Sequence, residues 1–557
     1  MASSPSYDHR RYQRELWGWL SYAFASEVFV IVSLTLFLPI CLEQFARDNG
    51  YLLPEKTIPC IGTGASEWES DPEEKRCVVK LGWVWIDSAS FSLYVYSASV
   101  ALQALTVISM GGIADHPPHR KRLLLGFAVL GFTSAILFFF LSSSSPLWPL
   151  AGPLAMCANV GFGASVVAMN AYLPQLARMA PEVVAAHEEL KTATDESSVD
   201  AVDTTAEMHD GLEAPLLHVS RPKPPETLQT AYATALSATT SRISAHGIAL
   251  GYVAGIALLL LTLVPVTRLG GSTWALRLAI GCSGAWWAVF SVVAGFLLPS
   301  GGDGEADKGV DEDGEGDGWG ETRTEATRVV KWNTRREIGK AWVRLGGMLR
   351  WREIKKLRNT FQYLAAWFLL FDGFTTITST AILFGKTTLH LSAQTLILIG
   401  VLTPAAGIIG ALVWPFVQRA LKLSNLQVLV SLVTLASLVP VYGCLGLLRV
   451  VRDQGWGLVS AGEMIGLAVY FGAVYGAFQS YARALYAELI PPREAARWYA
   501  LFSITDKSSS FLGPLLVGLI ADTTGNIRYA FILLVGVLWM ALPVLMSVDV
   551  VKGSEDA

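Results

Sequence analysis

The chain has 557 residues, of which 52% are apolar, 11% aromatic and only 16% charged, with a formal net charge of −4. That balance, with a positive mean hydropathy, excludes an ordinary soluble globular protein and points to an integral membrane protein. The small charge, which comes largely from acidic linkers, gives no reason to expect a nucleic-acid partner. No nucleophile, base and metal set converges on one side of the membrane, and the six cysteines form no zinc or redox pattern, so neither an enzyme nor a cofactor is expected.

Runs of about 20 apolar residues, enough to cross a hydrocarbon layer, recur at 17–41, 88–111, 123–141, 147–173, 247–266, 274–298, 360–385, 394–417, 426–448, 457–479, 500–521 and 529–548. Arg10, Arg11 and Arg14 precede the first run and Glu27 interrupts it. No short apolar core with a small-residue cleavage site appears there, so this span is expected to remain as an anchor. Arg120, Lys121, Arg122, Arg419, Lys422, Arg493 and Arg497 fall on the same side as the N-terminus, which predicts that both termini are cytosolic. The expected class is an all-α integral membrane protein of twelve transmembrane helices in two pseudosymmetric six-helix bundles.

The bundles are interrupted. Residues 1–180 hold the first four spans and 247–299 the next two, separated by 181–246, a polar segment rich in Ser, Thr, Pro and Glu that is expected to be a disordered cytosolic linker. Residues 300–329 are an acidic, Gly-rich linker between the halves, and 330–358 place Trp332, Trp342, Leu345, Trp351 and Leu357 among basic residues. That second pattern predicts an amphipathic helix on the cytosolic membrane face, the alternative being a solvated basic connector. Residues 359–557 form the C-terminal bundle.

Two carboxylates stand in mid-span. Glu27 and Asp372 lie about 15–18 Å inside their runs at 1.5 Å per residue, near the bilayer centre. An acid there costs at least about 2.5 kcal/mol on insertion scales and usually marks a substrate or proton path. The first and seventh spans correspond under a two-fold relation of the halves, which predicts that both acids face a shared cavity and couple transport to protons. The alternative for each is a cap on a neighbouring helix or a pair with a base such as Lys507. The run FDGFTTITST around Asp372 adds Thr375 to that expected cavity, and Gln103, Asn159, Asn170 and Gln479 are further polar candidates. Gln103, Asn159 and Asn170 either bind substrate or fasten helices together.

At the end of the second span, MGGIADHPPHRKR places Gly111, Asp115, Arg120 and Lys121 at the spacing of the major facilitator loop signature, with His116 and Pro118 as departures. Its physical use is a charge latch that breaks and reforms as the halves rock. Arg483, Glu488, Asp506 and Lys507 form a second charged group between the tenth and eleventh spans, expected to gate the cytosolic mouth. Gly462 with Gly466, and Gly472 with Gly476, suit close helix approach, and Gly513–Pro514 suggests a kink. Cys60 and Cys77 share the first non-cytosolic loop and are there as a disulfide or as two free thiols.

The stretch from Gly476 to Phe531 carries Gln479, Ser480, Arg483, Glu488, Pro491, Pro492, Asp506, Lys507, Gly513, Pro514 and the Thr524-Gly525-Asn526 turn. Together with the opening ELWGWLSYAFASEVFVIVSLTLFLPICLEQFAR, the NAYLPQLAR run from Asn170 and FDGFTTI around Asp372, it resembles the autophagy-related vacuole effluxer family, a branch of the major facilitator superfamily. The resemblance implies a twelve-span carrier in the fungal vacuolar membrane that releases amino acids, neutral or aliphatic ones, from autophagic breakdown into the cytosol. A lumen more acidic than the cytosol would drive such export with protons. The reading from a different class is a non-transporting membrane receptor or scaffold whose long linkers recruit autophagy partners.

Overall fold

The computed structural model describes residues 8–60, 76–114, 117–206, 226–299, 334–491 and 495–556. Asp115, Pro492 and the 300–329 linker, with residues 330–333, lie outside the described residues.

Helix α1 (His9–Val28) starts where the Asp8 carboxylate accepts the backbone N–H groups of Arg10 and Arg11, two of the donors that a helix start leaves without intrahelical partners. It continues through a π-helical stretch, Phe29–Phe37, into α2 (Leu38–Asp48), making one rod of 40 residues. Three short strands follow: β1 (Tyr51–Leu52), β2 (Cys77–Leu81) and β3 (Val84–Asp87). They pair antiparallel in the order β1-β2-β3. The two-residue turn between β2 and β3 uses Gly82 at φ +60°, a position where a side chain would be strained. Cys60 is disulfide-bonded to Cys77. This sheet marks one face of the molecule, called here the sheet side; the opposite face is the terminus side.

The N-terminal half continues with α3 (Ser88–Ala114), α4 (Pro117–Leu137), α5 (Ala151–Asn170) and α6 (Leu173–Arg178). Then come α7 (Pro181–Ala206), α8 (Glu226–Arg268) and α9 (Thr273–Leu297). The segment expected to be disordered is therefore corrected in part: 181–206 and 226–246 are helical, while 207–225 lie outside the described residues. The physical reason is a small apolar stripe that the polar composition obscures. Val183 and Ala180 are buried with Tyr12 against Tyr232, Ala235 and Leu236, and Arg242 clamps Glu182 at 2.8 Å.

Helices α10 (Thr334–Met348) and α11 (Trp351–Lys356) occupy the expected amphipathic region. Helix α10 packs against α3, with the Trp342 indole N–H donating to Ser109 Oγ at 3.2 Å. The second half comprises α12 (Arg358–Thr387), α13 (Ala393–Leu421), α14 (Asn425–Leu445), α15 (Arg449–Asp453) and α16 (Ala461–Glu488). It closes with α17 (Ala495–Ser509), α18 (Leu512–Thr524), α19 (Ala530–Met546) and α20 (Val550–Asp556).

Among the described residues, 10 helices are long and apolar enough to cross a membrane. The third and eleventh expected spans correspond to α4 and to the pair α17–α18, which is broken at Ser510–Phe511. The break has a local cause: Pro514 has no N–H, and its ring crowds the carbonyl four residues earlier, at Ser510. Helices α3 and α5, α4 and α9, and α1 with α8 and α9 pack within the first half; α13 with α16, and α12 and α14 with α19, pack within the second. Between the halves α3 meets α17 and α18, and α8 meets α13. Exchanging the halves converts one of these contacts into the other, as a two-fold relation requires. Large apolar side chains such as Phe140, Leu261, Phe296, Leu412 and Met540 are exposed, and a bilayer is the solvent that suits them.

Candidate functional site

Glu27 occupies the last turn of α1, directly ahead of the π-helical stretch. Such i→i+5 segments are rare and concentrate at functional positions. Its side chain lies on α8 at Gly251, where an added Cβ would stand 2.5 Å from both Cβ and Cγ of Glu27. Glycine at 251 is thus what leaves room for the acid. The charges acting on Glu27 are those of Lys507 on α17 and Arg483 on α16, both from the other half. Lys507 in turn feels Asp506 and Glu27, and Tyr252 feels Glu27 and Arg483.

Glu27, Tyr96, Tyr252, Tyr475 and Lys507 lie deep among protein atoms and still keep partly accessible side chains. Gln479 also belongs here: its amide donates to the Tyr475 hydroxyl at 2.8 Å, one turn before Arg483. Asp506 accepts the indole N–H of Trp367, and that indole is stacked on Phe502 at 4.7 Å and on Phe478 at 5.4 Å. The aromatic wall holds the Asp506–Lys507 turn against α12 and α16. Asp506 and Lys507 thus stand in the middle of the eleventh span and Arg483, exposed, near the end of α16, and the charges of Lys507 and Arg483 act on Glu27. Glu488 is apart from them, accepting from the Asn425 amide at 2.5 Å.

Asp372 is held by a different contact. It is buried, and its Oδ1 accepts the backbone N–H of Gly513 at 2.9 Å. That N–H belongs to the first turn of α18, so Asp372 caps the half-helix left by the break, where a carboxylate is favoured. Thr376, one turn along α12, also faces Gly513, while Thr375 is partly exposed. Asp372 thus takes the capping alternative through Oδ1, while its charge still acts on Tyr96. Gln103 and Asn159 take the fastening alternative. Gln103 donates to the Asn159 carbonyl at 2.7 Å and Asn159 to Ser99 Oγ at 2.7 Å, buried bonds that fasten α3 to α5. Asn170, the last residue of α5, is exposed.

Three contacts of the loop bases lie in the first half. Arg120 bonds Gln175 Oε1 at 3.2 Å and lies over the Tyr172 ring, and Lys121 donates to the Leu298 carbonyl at 2.8 Å. Sequence reasoning missed Tyr96, Tyr252 and Gly251. The signal was present: Gly247, Gly251 and Gly255 recur every four residues along α8, facing Trp19, Glu27 and Ile31 in turn. A second charged cluster was missed on the sheet side, where Asp522 of α18 meets Asp87 and Tyr94 of the first half.

Two helical halves around interior charges are the plan of a transporter with the major facilitator fold. Solved structures agree on that fold: the xylose transporter XylE from E. coli, in its inward open conformation, matches with TM-score 0.51 at 10% identity over 96% of this chain and 95% of that one. A bacterial homologue of the iron transporter ferroportin, in its inward-facing state, matches with TM-score 0.50 at 13% identity over 98% of each. The particular family is given by sequence, since the family model described as "Vacuole effluxer Atg22 like" matches residues 11–557. Autophagy-related protein 22 of Cryptococcus neoformans var. neoformans serotype D is 40% identical, covering 97% of this chain and 95% of that protein. Autophagy-related protein 22-1 of Neosartorya fischeri is 37% identical, with 98% and 91% covered. The chain belongs to the Atg22-like vacuole effluxer family and is a multi-pass membrane transporter associated with autophagy.

Proposed function

We propose that this protein exports amino acids, neutral or aliphatic ones, from the vacuole lumen to the cytosol by alternating access, coupled to protons. Both termini are cytosolic in this reading, and the sheet side with its Cys60–Cys77 disulfide faces the lumen. The observation that carries it is that Glu27 of one half, partly accessible in mid-span, lies within the charge influence of Lys507 and Arg483 of the other. A zwitterion needs an acid for its ammonium and a base for its carboxylate, and this pairing offers both while spanning the two bodies that must move. Charge attraction between the halves, as Lys507 and Arg483 exert on Glu27, also supplies a differential stability between two states that a ligand or proton can bias. Asp372 serves the cycle by holding α18 in place.

Counterflow in liposomes with an amino-acid panel, at imposed pH gradients, tests the reading. The expected result is uptake of neutral amino acids accelerated by a gradient, with Glu27→Gln retaining exchange and losing acceleration, and Lys507→Met losing both. A protein that reconstitutes well and moves no amino acid under any gradient would remove the proposal.

A further inference from the structure

The halves are joined along one seam on the sheet side. From the mouth inward, the Arg76 guanidinium donates to the Asp522 carbonyl at 3.1 Å and the Asp87 backbone N–H to Asp522 Oδ1 at 2.8 Å. The Tyr94 hydroxyl donates to Asp522 Oδ2 at 2.6 Å. Ser90 Oγ donates to the Gly518 carbonyl at 2.9 Å and Ser97 Oγ to the Phe511 carbonyl at 2.5 Å, beside the break in the eleventh span. Each bond runs from residues 76–97 of one half to α18, or to Phe511 just ahead of it, in the other. The seam closes the sheet side, and closing it brings the carboxyl groups of Asp87 and Asp522 together in a partly dry place.

We propose that this seam is a proton-licensed gate: Asp522 is the latch, and the gate shuts fully only when Asp87 carries a proton taken from the sheet side. Both oxygens of Asp522 are engaged as acceptors, from the Asp87 backbone and from Tyr94, so the geometry leaves Asp87 as the acid that takes up the proton. Burial pushes the Asp87 carboxyl up to about 6, the Ala89 N–H opposing and the Asp522 charge adding to the rise. Arg76 works against it and Glu43 with it; the Glu43 charge is itself paired with Arg47 at 2.6 Å and acts on Lys386. Tyr94 faces both acids. The sign follows from linkage: a carboxyl whose value is raised in the closed state favours closure when protonated, so closure is strongest below the ordinary carboxylate range and its advantage is lost as pH rises through about 6. Protonation on the acidic side thereby allows the step that carries substrate and proton inward, which is the order a symporter needs.

This inference rests on the alternating-access reading above but on no choice of substrate, and it is tested without substrate. Spin labels at Trp83→Cys, on the exposed β2–β3 turn, and Gln454→Cys, on the sheet side of the second half, report mouth width by pulsed electron resonance in lipid nanodiscs. Cys41, Cys157, Cys282 and Cys444 are replaced by alanine and the disulfide is kept. The short-distance population is expected to fall severalfold from pH 5 to pH 8 in the otherwise native protein. It should stay high and flat in Asp87→Asn, and be low at every pH in Asp522→Ala. Tyr94→Phe, which removes one bond and little volume, should lower it without moving the midpoint, so a folding failure of one variant does not decide the matter. A native distance distribution that ignores pH, or an unchanged midpoint in Asp87→Asn, overturns the gate. Failure of amino-acid counterflow with an intact pH response would instead count against the substrate alone.

Discussion

At the scale of single residues, the position of Glu27 depends on what α8 lacks. A side chain at 251 would meet Glu27 Cβ and Cγ at 2.5 Å, so Gly251→Val must rotate the acid or part the helices, an overpacking of about 1–3 kcal/mol. The expected outcome is loss of pH-accelerated counterflow in a protein that still elutes as a single species; full activity would show that Glu27 is not held there. Asp372 gives the opposite expectation. Asp372→Asn keeps an oxygen for the Gly513 N–H and should retain pH coupling, whereas Asp372→Ala leaves a buried donor unmatched, at a cost of about 1–3 kcal/mol visible as a lower unfolding temperature. Loss of coupling in a stable Asp372→Asn protein would move the proton site to Asp372. Both acids were conspicuous in the sequence because depth can be counted along an apolar run. Their roles were not, since the partner of Asp372 lies 141 positions away and the donor is a backbone group that any residue but proline carries.

Among elements, the glycines of α16 separate packing from appearance. Gly472 and Gly476 stand where α13 approaches so closely that an added Cβ would strike the carbonyls of Thr403 and Gly407. Gly462 and Gly466, with the same spacing, have nothing within 4 Å. Gly472→Leu is therefore expected to destabilise by about 1–3 kcal/mol or more, measured as a fall in thermal unfolding temperature in detergent, while Gly466→Leu should leave it unchanged. Equal effects of the two would mean that the α13–α16 seam is not what the glycines serve. Spacing alone could not distinguish these pairs, because the difference is in which face the partner helix covers. The helical stretches of α7 and α8 were hidden for a related reason. Their polar composition is real, but Val183, Tyr232 and Leu236 need only one another and Tyr12 to make a local core.

For the molecule as a whole, the contact of α3 with α18 and of α8 with α13 joins the two halves, and the alternating-access proposal requires the sheet-side seam to part as they rock. The position of a Cβ on Gly518 lies 2.7 Å from the Tyr94 ring, so cysteines at 94 and 518 face each other across it. Oxidising Tyr94→Cys with Gly518→Cys should tie the halves together and cut counterflow to below about a tenth of the reduced protein, since cargo then cannot reach the sheet side. A reductant should restore it, and each single variant should be insensitive to oxidant, which separates the crosslink from loss of the Tyr94 hydroxyl and from any effect on Cys60–Cys77. Transport at full rate with the crosslink complete would mean that substrate enters without the seam opening. The interior charges around Glu27 would then need a lateral entrance between helices, and the two-body account would fail at its mechanical premise whatever the chemistry of the cargo.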